Sequence, residues 1–493
     1  MGTAVFDLHA LAPELILTGV AILILVYDLF IGDERKWTLP IVAAGGILAA
    51  GIPLVTLGLS DTTRSLFGGA YVVDGFALVL KGIFLGASFV VLLMSAQYVE
   101  EGDYHRGEFY FLLLSAVLGM LVISSARDMI SLFVAIELVS SPTYLLAGWR
   151  KRDLKSNEAA LKYFLLGVVS IAISLYGMSI LFGVTGGALK FTEIASWMSA
   201  VPSGSAMGVA AMSIVLILVG FAFKIAAVPF HLWAPDTYEG APLPVTAFLS
   251  VASKTAGFVG LFTLVYLAFP AQSQVWRPVI FGLAIATMTV GNLIAIKQTN
   301  LVRMLAYSSI AQAGYVLVPF AATTREGSLT AETFASSVTY LLIYTVMNLG
   351  AFAVIIAVAR RTRSVEITSW SGLSKYAPGL AVLMTFFLLS LAGIPPTAGM
   401  WAKIFVFRSV ISAGGLANGA LAAVMGINSV IAAFYYLAVV KKMFFDPAPE
   451  EDLEAIPVPA SLAGAIGIMA GITFVLFVIP DVAVRLGYGA SLV

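Results

Sequence analysis

Four ionisable side chains stand where a membrane-spanning sequence should carry none. Glu137 lies in SLFVAIELVSSPTYLLAG, Lys224 and Lys254 flank a corner rich in Pro, Trp, Asp and Glu, and Lys403 ends LAGIPPTAGMWAK. A charge at bilayer mid-depth costs about 2.5–3.5 kcal/mol on insertion scales, so each is read as functional. Carboxylate and amine in apolar surroundings suit proton exchange. Burial disfavours the charged form of either group and an opposite charge nearby restores it, so a Glu–Lys pair that approaches and separates loads and unloads a proton. The plainer reading is a fixed ion pair between two helices.

Prolines accompany two of the lysines. Pro229 follows Lys224 by five residues, and its ring clashes with the carbonyl of Ile225; Pro395 and Pro396 do the same at the carbonyls of Leu391 and Ala392. Lys403 returns to the face of Pro396 seven residues on, and Gly393 and Gly399 permit close packing around the break. Acceptors freed in this way are tolerated in lipid only where protein or a water-filled cavity satisfies them. A lysine beside a broken turn therefore points to water inside the membrane.

Further polar residues extend the pattern. Ser250 and Lys254 share a helical face at i,i+4, as do Ser308, Gln312 and Tyr315, and again Tyr340, Tyr344 and Asn348, with Asn428 and Tyr435 added later. Each set serves equally as helix-to-helix hydrogen bonds or as the lining of a water file. Lys162 is placed about one turn into its helix, where it either snorkels to the surface or joins a relay. Arg408 reads as an interfacial anchor, and Asp74 and Lys81, at i and i+7, as a pair at a subunit contact.

The elements that must position these groups are membrane helices. The chain of 493 residues is 60% hydrophobic and 11% charged, which excludes an ordinary soluble domain, and its long non-alternating apolar runs exclude a β-barrel. Net charge is zero, so no basic surface offers itself to nucleic acid; the absence of cysteine removes thiolate-held iron–sulfur and zinc sites. His9, His105 and His231 are the only histidines, and a haem site is not expected. The first apolar run, flanked by Asp7 and Glu14, reads as a retained helix.

Fourteen spans are predicted, near 11–31, 39–59, 74–98, 108–126, 129–148, 159–183, 207–230, 243–268, 276–296, 300–320, 334–358, 378–410, 416–440 and 459–480. The twelfth is too long for one simple crossing and the seventh extends toward 239, so both are expected to be discontinuous. Basic connections at Arg35/Lys36, Arg106, 150–155, Lys297/Arg303, 360–375 and Lys441/Lys442 alternate with sparser ones at Arg64, Arg127, Lys190, Arg277, Arg325 and Arg485. Positive loops stay cytoplasmic, which places both termini outside. A broken lysine helix at span 7 recurs at span 12. An odd offset gives inverted copies, the arrangement of transporter repeats.

Taken together, Leu11-APE-Glu14, Glu137, KIAAVPFHLWAPDTYEGAPLPVTAFLS from Lys224, Ser253-Lys254 and AGIPPTAGMWAK to Lys403 give the resemblance. The chain resembles the subunit N family of proton-translocating NADH-quinone oxidoreductase, respiratory complex I, over essentially all fourteen spans. The resemblance implies an all-α membrane protein with two inverted five-helix bundles, helices 4–8 and 9–13, and discontinuous helices 7 and 12. It divides the single domain into 1–106, 107–270, 271–442 and 443–493. It also implies that Glu137 and Lys224 load the proton, Lys254 relays it and Lys403 passes it to the exit, with Lys162, Ser250, Tyr315 and Tyr344 as further relay candidates and Pro229, Pro395 and Pro396 as helix breaks.

Subunit M usually carries glutamate where Lys403 stands, and subunit L adds a lateral C-terminal helix with no counterpart expected here. By the same resemblance no cofactor is expected in this chain; NADH, FMN and iron–sulfur clusters belong to partner subunits and quinone to the whole complex. The implied neighbours are subunits M and K, the lateral helix of subunit L and the lipid bilayer of a bacterial inner membrane. A cation/proton antiporter subunit, or a scaffold of fixed ion pairs, would use the same residues differently.

Overall fold

Without water to satisfy it, backbone in a bilayer must bond to itself, and the apolar runs of this chain do so as helices. The computed structural model describes residues 7–60, 62–102, 106–200, 204–322, 331–448 and 455–492; His105 and Arg325 lie outside the described residues. Three long helices come first: α1 (Ala12–Phe30), α2 (Leu39–Ser60) and α3 (Gly75–Glu101). A small antiparallel hairpin, β1 (Arg64–Leu66) and β2 (Tyr71–Val73), joins the last two.

The first bundle holds α4 (Arg106–Ser125), α5 (Met129–Ala147), α6 (Leu154–Val184), a short α7 (Phe191–Ala200), and the broken pair α8 (Ser205–Lys224) and α9 (Trp233–Gly240). It closes with α10 (Leu243–Phe248) and α11 (Lys254–Thr263), joined by a π-helical turn, Leu249–Ser253. The second bundle holds α12 (Ser273–Ala295), α13 (Leu301–Ala321), α14 (Ala331–Thr362), a single turn α15 (Leu373–Tyr376), the broken pair α16 (Pro378–Ala392) and α17 (Ala398–Ala413), and α18 (Leu416–Phe445). Two helices, α19 (Ala460–Val478) and α20 (Asp481–Gly489), finish the chain.

Among the described residues thirteen helical stretches are long and apolar enough to cross a membrane. The fourteenth crossing is α16 with α17, split where Gly393 takes a left-handed φ of +80°. A side chain there would be strained, so glycine is what allows the helix to stop.

The inversion is visible in how the helices begin. Asp128 caps α5 by accepting from the backbone of Ile130 and Ser131, both at 2.9 Å, and pairs as a β-bridge with Lys190 beyond α6. Asn300 caps α13 by accepting from Arg303 at 3.0 Å and bridges Glu366 beyond α14. Four crossings precede the first of these knots and nine the second, so equivalent turns lie on opposite faces of the membrane.

Helices α10, α11, α13 and α14 are buried nearly all round, whereas α1, α2, α6 and α19 keep an outward apolar face. The core is thus the seam between the bundles. One expectation fails at the edge of that core. Asp74 does not pair with Lys81: it caps α3 through Ala77 at 2.9 Å and bonds Arg127 at 2.7 Å, while Lys81, fully buried, meets Glu14 of α1 at 2.8 Å. An N-capping carboxylate is held at the helix end and cannot also reach two turns along it.

Candidate functional site

Each buried lysine of the two bundles lies at or beside a helix interruption. Helix α8 stops at Lys224, and Ala226 follows with a φ of +58°; Trp233 then donates its indole N–H to the carbonyl of Phe223 at 3.0 Å. Val228 donates across the bundle boundary to Thr287 of α12 at 3.0 Å. Backbone released by the break is therefore met by protein, as a low-dielectric site demands.

Lys224 is 3% exposed and donates to Ser140 of α5 at 2.9 Å and to the Tyr163 hydroxyl of α6 at 3.4 Å. Glu137 stands one turn before Ser140, half-buried, with Oε1 buried and unbonded. Glu137 and Lys224 make no ion pair in this conformation. A cavity of about 10 Å³ touching Ser140, Tyr144, Ser174 and Lys224 has room for about one water.

Lys254 opens α11 just after the π-helical turn, is 2% exposed, and donates to Ser309 of α13 at 2.7 Å. Ser250 does not join it. The wider turn rotates Ser250 away, so its hydroxyl accepts from Asn348 of α14 at 2.7 Å and its carbonyl from the Tyr344 hydroxyl at 3.2 Å. Ser250 in the π-helical turn and Lys254 in α11 thereby both reach into the second bundle.

At the second break the carbonyls of Leu391 and Ala392 are indeed released. Gln312 donates to the first at 3.0 Å and Lys403 to the second at 2.6 Å. Gln312 also accepts from Tyr340, and Tyr436 bonds Ser308. Tyr315 accepts from Asn292 at 3.3 Å, and Asn292 accepts from Tyr435 at 3.1 Å. Polar stripes on α13, α14 and α18 so converge around Lys403.

A common device holds the three ammonium groups. Lys224 lies 5.9 Å from the ring centre of Tyr163, Lys254 5.6 Å from that of Tyr238, and Lys403 4.9 Å from that of Tyr315. A desolvated cation over an aromatic face gains about 2 kcal/mol, which supports positive charge without fixing it to an acid. Sequence reading found Tyr315 but missed Tyr163, Tyr238, Ser140, Ser309 and Asn292. The KY step at Lys162-Tyr163 and the serine pair at Ser308-Ser309 were the available signals.

Lys162 is set apart from this axis. Its side chain is 42% exposed and bonds Glu158 at 2.7 Å and Asp236 at 2.6 Å, while Arg303 bonds Asp236 at 2.7 Å and Glu239 at 2.9 Å. Asp236 thereby ties α6, the corner helix α9 and α13 together at the mouth of the site.

A family model described as NADH:quinone oxidoreductase/Mrp antiporter, TM, matches residues 126–431. NADH-quinone oxidoreductase subunit N of Trichlorobacter lovleyi is 40% identical over 97% of this chain and 96% of its own length. The chain belongs to the subunit N family of NADH-quinone oxidoreductase. It is an antiporter-like membrane subunit of that complex. A chain of respiratory complex I from Thermus thermophilus superposes with a TM-score of 0.77 at 28% identity, over 96% of this chain and 98% of its own. A chain of the Mrp complex from Dietzia sp. DQ12-45-1b reaches 0.83 at 21% identity, over 98% and 97%, a likeness of fold alone. In this subunit N protein Lys224, Lys254 and Lys403 are buried lysines of the two bundles, each bonded to a neutral oxygen.

Proposed function

We propose that this chain is a non-redox translocase subunit in which protons load at Glu137 and Lys224, pass Lys254 and leave by Lys403, driven by quinone reduction elsewhere in the complex. The carrying observation is that the three lysines are at most 8% exposed and bond neutral oxygens with no carboxylate among the described residues. Lysines held by neutral oxygens, with no bound carboxylate to fix them, can change partners along the seam, as a relay requires. Ser250, Tyr315 and Tyr344 lie along the same seam and serve as hydroxyl relays; Lys162 guards the mouth. Pro229, Pro395 and Pro396 keep the two broken helices from resealing.

In this reading NADH, FMN and iron–sulfur clusters act in partner subunits, quinone at the level of the complex, and subunits M and K and the lateral helix of subunit L are neighbours. The setting is a bacterial inner membrane with both termini outside, and the segments 1–106, 107–270, 271–442 and 443–493 are its structural parts. The reading is tested by proton uptake into sealed vesicles that carry the assembled complex. Lys254→Met should abolish pumping in fully assembled complex, and unchanged pumping would refute the relay. Purification with peripheral redox subunits separates this function from that of a cation/proton antiporter, which needs none.

A further inference from the structure

A cleft of about 800 Å³ opens between α1, α4, α5 and α6 at the end of the bundle that carries residues 150–155. Leu112, Leu161 and Phe164 make its walls apolar, and Glu108 and Lys151 stand at its mouth. Trp149 also lines it. That ring is 7% exposed, and its Nε1 is buried with no acceptor. That nitrogen is closed off from the cleft, so only the flank of the ring faces a ligand.

The charges at the mouth are exposed and, among the described residues, unpaired. Nearby, Arg150 pairs with Asp153 at 3.2 Å and Lys155 with Glu239 at 3.1 Å. No hydrogen bond or ion pair among the described residues reaches the Glu108 carboxylate or the Lys151 ammonium. A cation and an anion thus stand at the opening of an apolar cleft.

We propose that this cleft binds a phospholipid whose head carries both a phosphate and a primary amine, a phosphatidylethanolamine. The phosphate accepts from Lys151, the ammonium donates to Glu108, and the acyl chains lie against Leu161, Phe164 and the flank of the Trp149 ring. The volume falls in the range of roughly 300–1,000 Å³ usual for ligand sites. From Asn157 at the mouth to Phe164 is seven residues of α6, about 10 Å of rise, which admits the head and the upper part of the chains. A choline head has no N–H for Glu108, which gives the site its selectivity.

The position also matters for the proton chamber. Tyr144 lines both this cleft and the cavity at Lys224, and its ring lies 4.6 Å from that of Tyr163. A lipid seated in the cleft closes the bilayer side of Tyr144. Binding itself does not depend on Lys224 being a proton carrier.

Native mass spectrometry of the intact complex, delipidated and then exposed to vesicles of phosphatidylethanolamine or of phosphatidylcholine, tests the assignment. The wild-type complex should retain one more phosphatidylethanolamine than the Glu108→Gln/Lys151→Gln complex, and no additional phosphatidylcholine. Equal retention by both complexes, or equal retention of both lipids, would overturn the proposal. So would cross-linking of Leu161→Cys, a lone thiol in a chain without cysteine, to a neighbouring subunit, because a protein helix would then fill the cleft.

Discussion

Lys224 donates to Ser140, one turn beyond Glu137 on α5, and leaves the Glu137 carboxylate unbonded. One helical turn is about 5.4 Å, within the swing of a lysine side chain, so the ammonium can exchange a hydroxyl for a carboxylate without moving either helix. In this conformation the two groups proposed to load the proton are thus separated. Glu137→Gln keeps the shape and removes the charge. It should leave assembly intact and sharply reduce proton uptake into vesicles; near-normal uptake would leave only a packing role for Glu137.

Ser140 is the partner that the separated state needs. Ser140→Ala should lower coupled turnover, and Ser140→Thr, which restores the hydroxyl, should recover most of it. Turnover and proton uptake measured in the same vesicles distinguish the two variants, and equal activity of both would show that the hydroxyl is dispensable.

Glycine sets the clearance around the lysine stems. A Cβ on Gly257 would lie 3.0 Å from Cγ of Lys224 and 2.9 Å from Cγ2 of Ile225, and one on Gly393 would lie 2.6 Å from Cδ of Lys403 at a φ of +80°. Overpacking of this kind costs about 1–3 kcal/mol. Gly257→Ala should lower the melting temperature of the extracted complex modestly and its turnover more, since the displaced group is Lys224. Gly393→Ala adds backbone strain and should be the more destabilising of the two.

Much of this arrangement was legible in the sequence because membrane burial leaves so few charges to consider. Apolar length gave the spans, and proline at fixed distance from Lys224 and Lys403 gave both broken helices. What could not be read was pairing between distant segments. Lys81 and Glu14 sit 67 positions apart, and a nearer acid, Asp74, was the more obvious partner until its capping role was seen. Ser250 and Lys254 looked like one face because the π-helical turn between them leaves no mark in residue type. Tyr163 and Tyr238, under Lys224 and Lys254, were hidden by their resemblance to ordinary core aromatics.

The Glu14–Lys81 pair gives a prediction of its own. Lys81 also donates to Tyr71 at 2.9 Å and has no solvent exposure, so removing it alone strands a buried carboxylate. Lys81→Met should cost about 3–5 kcal/mol, and the double variant Glu14→Gln/Lys81→Met should regain most of it. Thermal stability of the two extracted complexes compares them; equal losses would mean that Glu14 is not held by Lys81.

At the mouth of the site the carboxyls of Asp236 and Glu239 sit below the usual range. Burial pushes both up, but hydrogen bonds from Lys162 and Arg303 to Asp236, and from Lys155 and Arg303 to Glu239, outweigh it. A carboxyl held low in the fold contributes fully above its unfolded value, roughly 4, and that contribution is lost as pH falls through the folded value. The stability difference between wild type and Asp236→Asn should stay level from pH 8 to about 5 and shrink below about 4. A difference that grows on acidification would contradict this clamp.

Lys224→Arg tests the central claim most directly, because arginine keeps the positive charge while its pKa remains above about 12. A lysine that only anchors α8 to α5 tolerates this change apart from a small packing cost. A lysine that yields its proton in each cycle does not, since arginine holds the chamber permanently charged. Quinone-reductase activity and proton uptake, measured together in sealed vesicles on fully assembled Lys224→Arg complex, should both fall to a small fraction of wild type. Full pumping with arginine at this position would contradict the proton-carrier account.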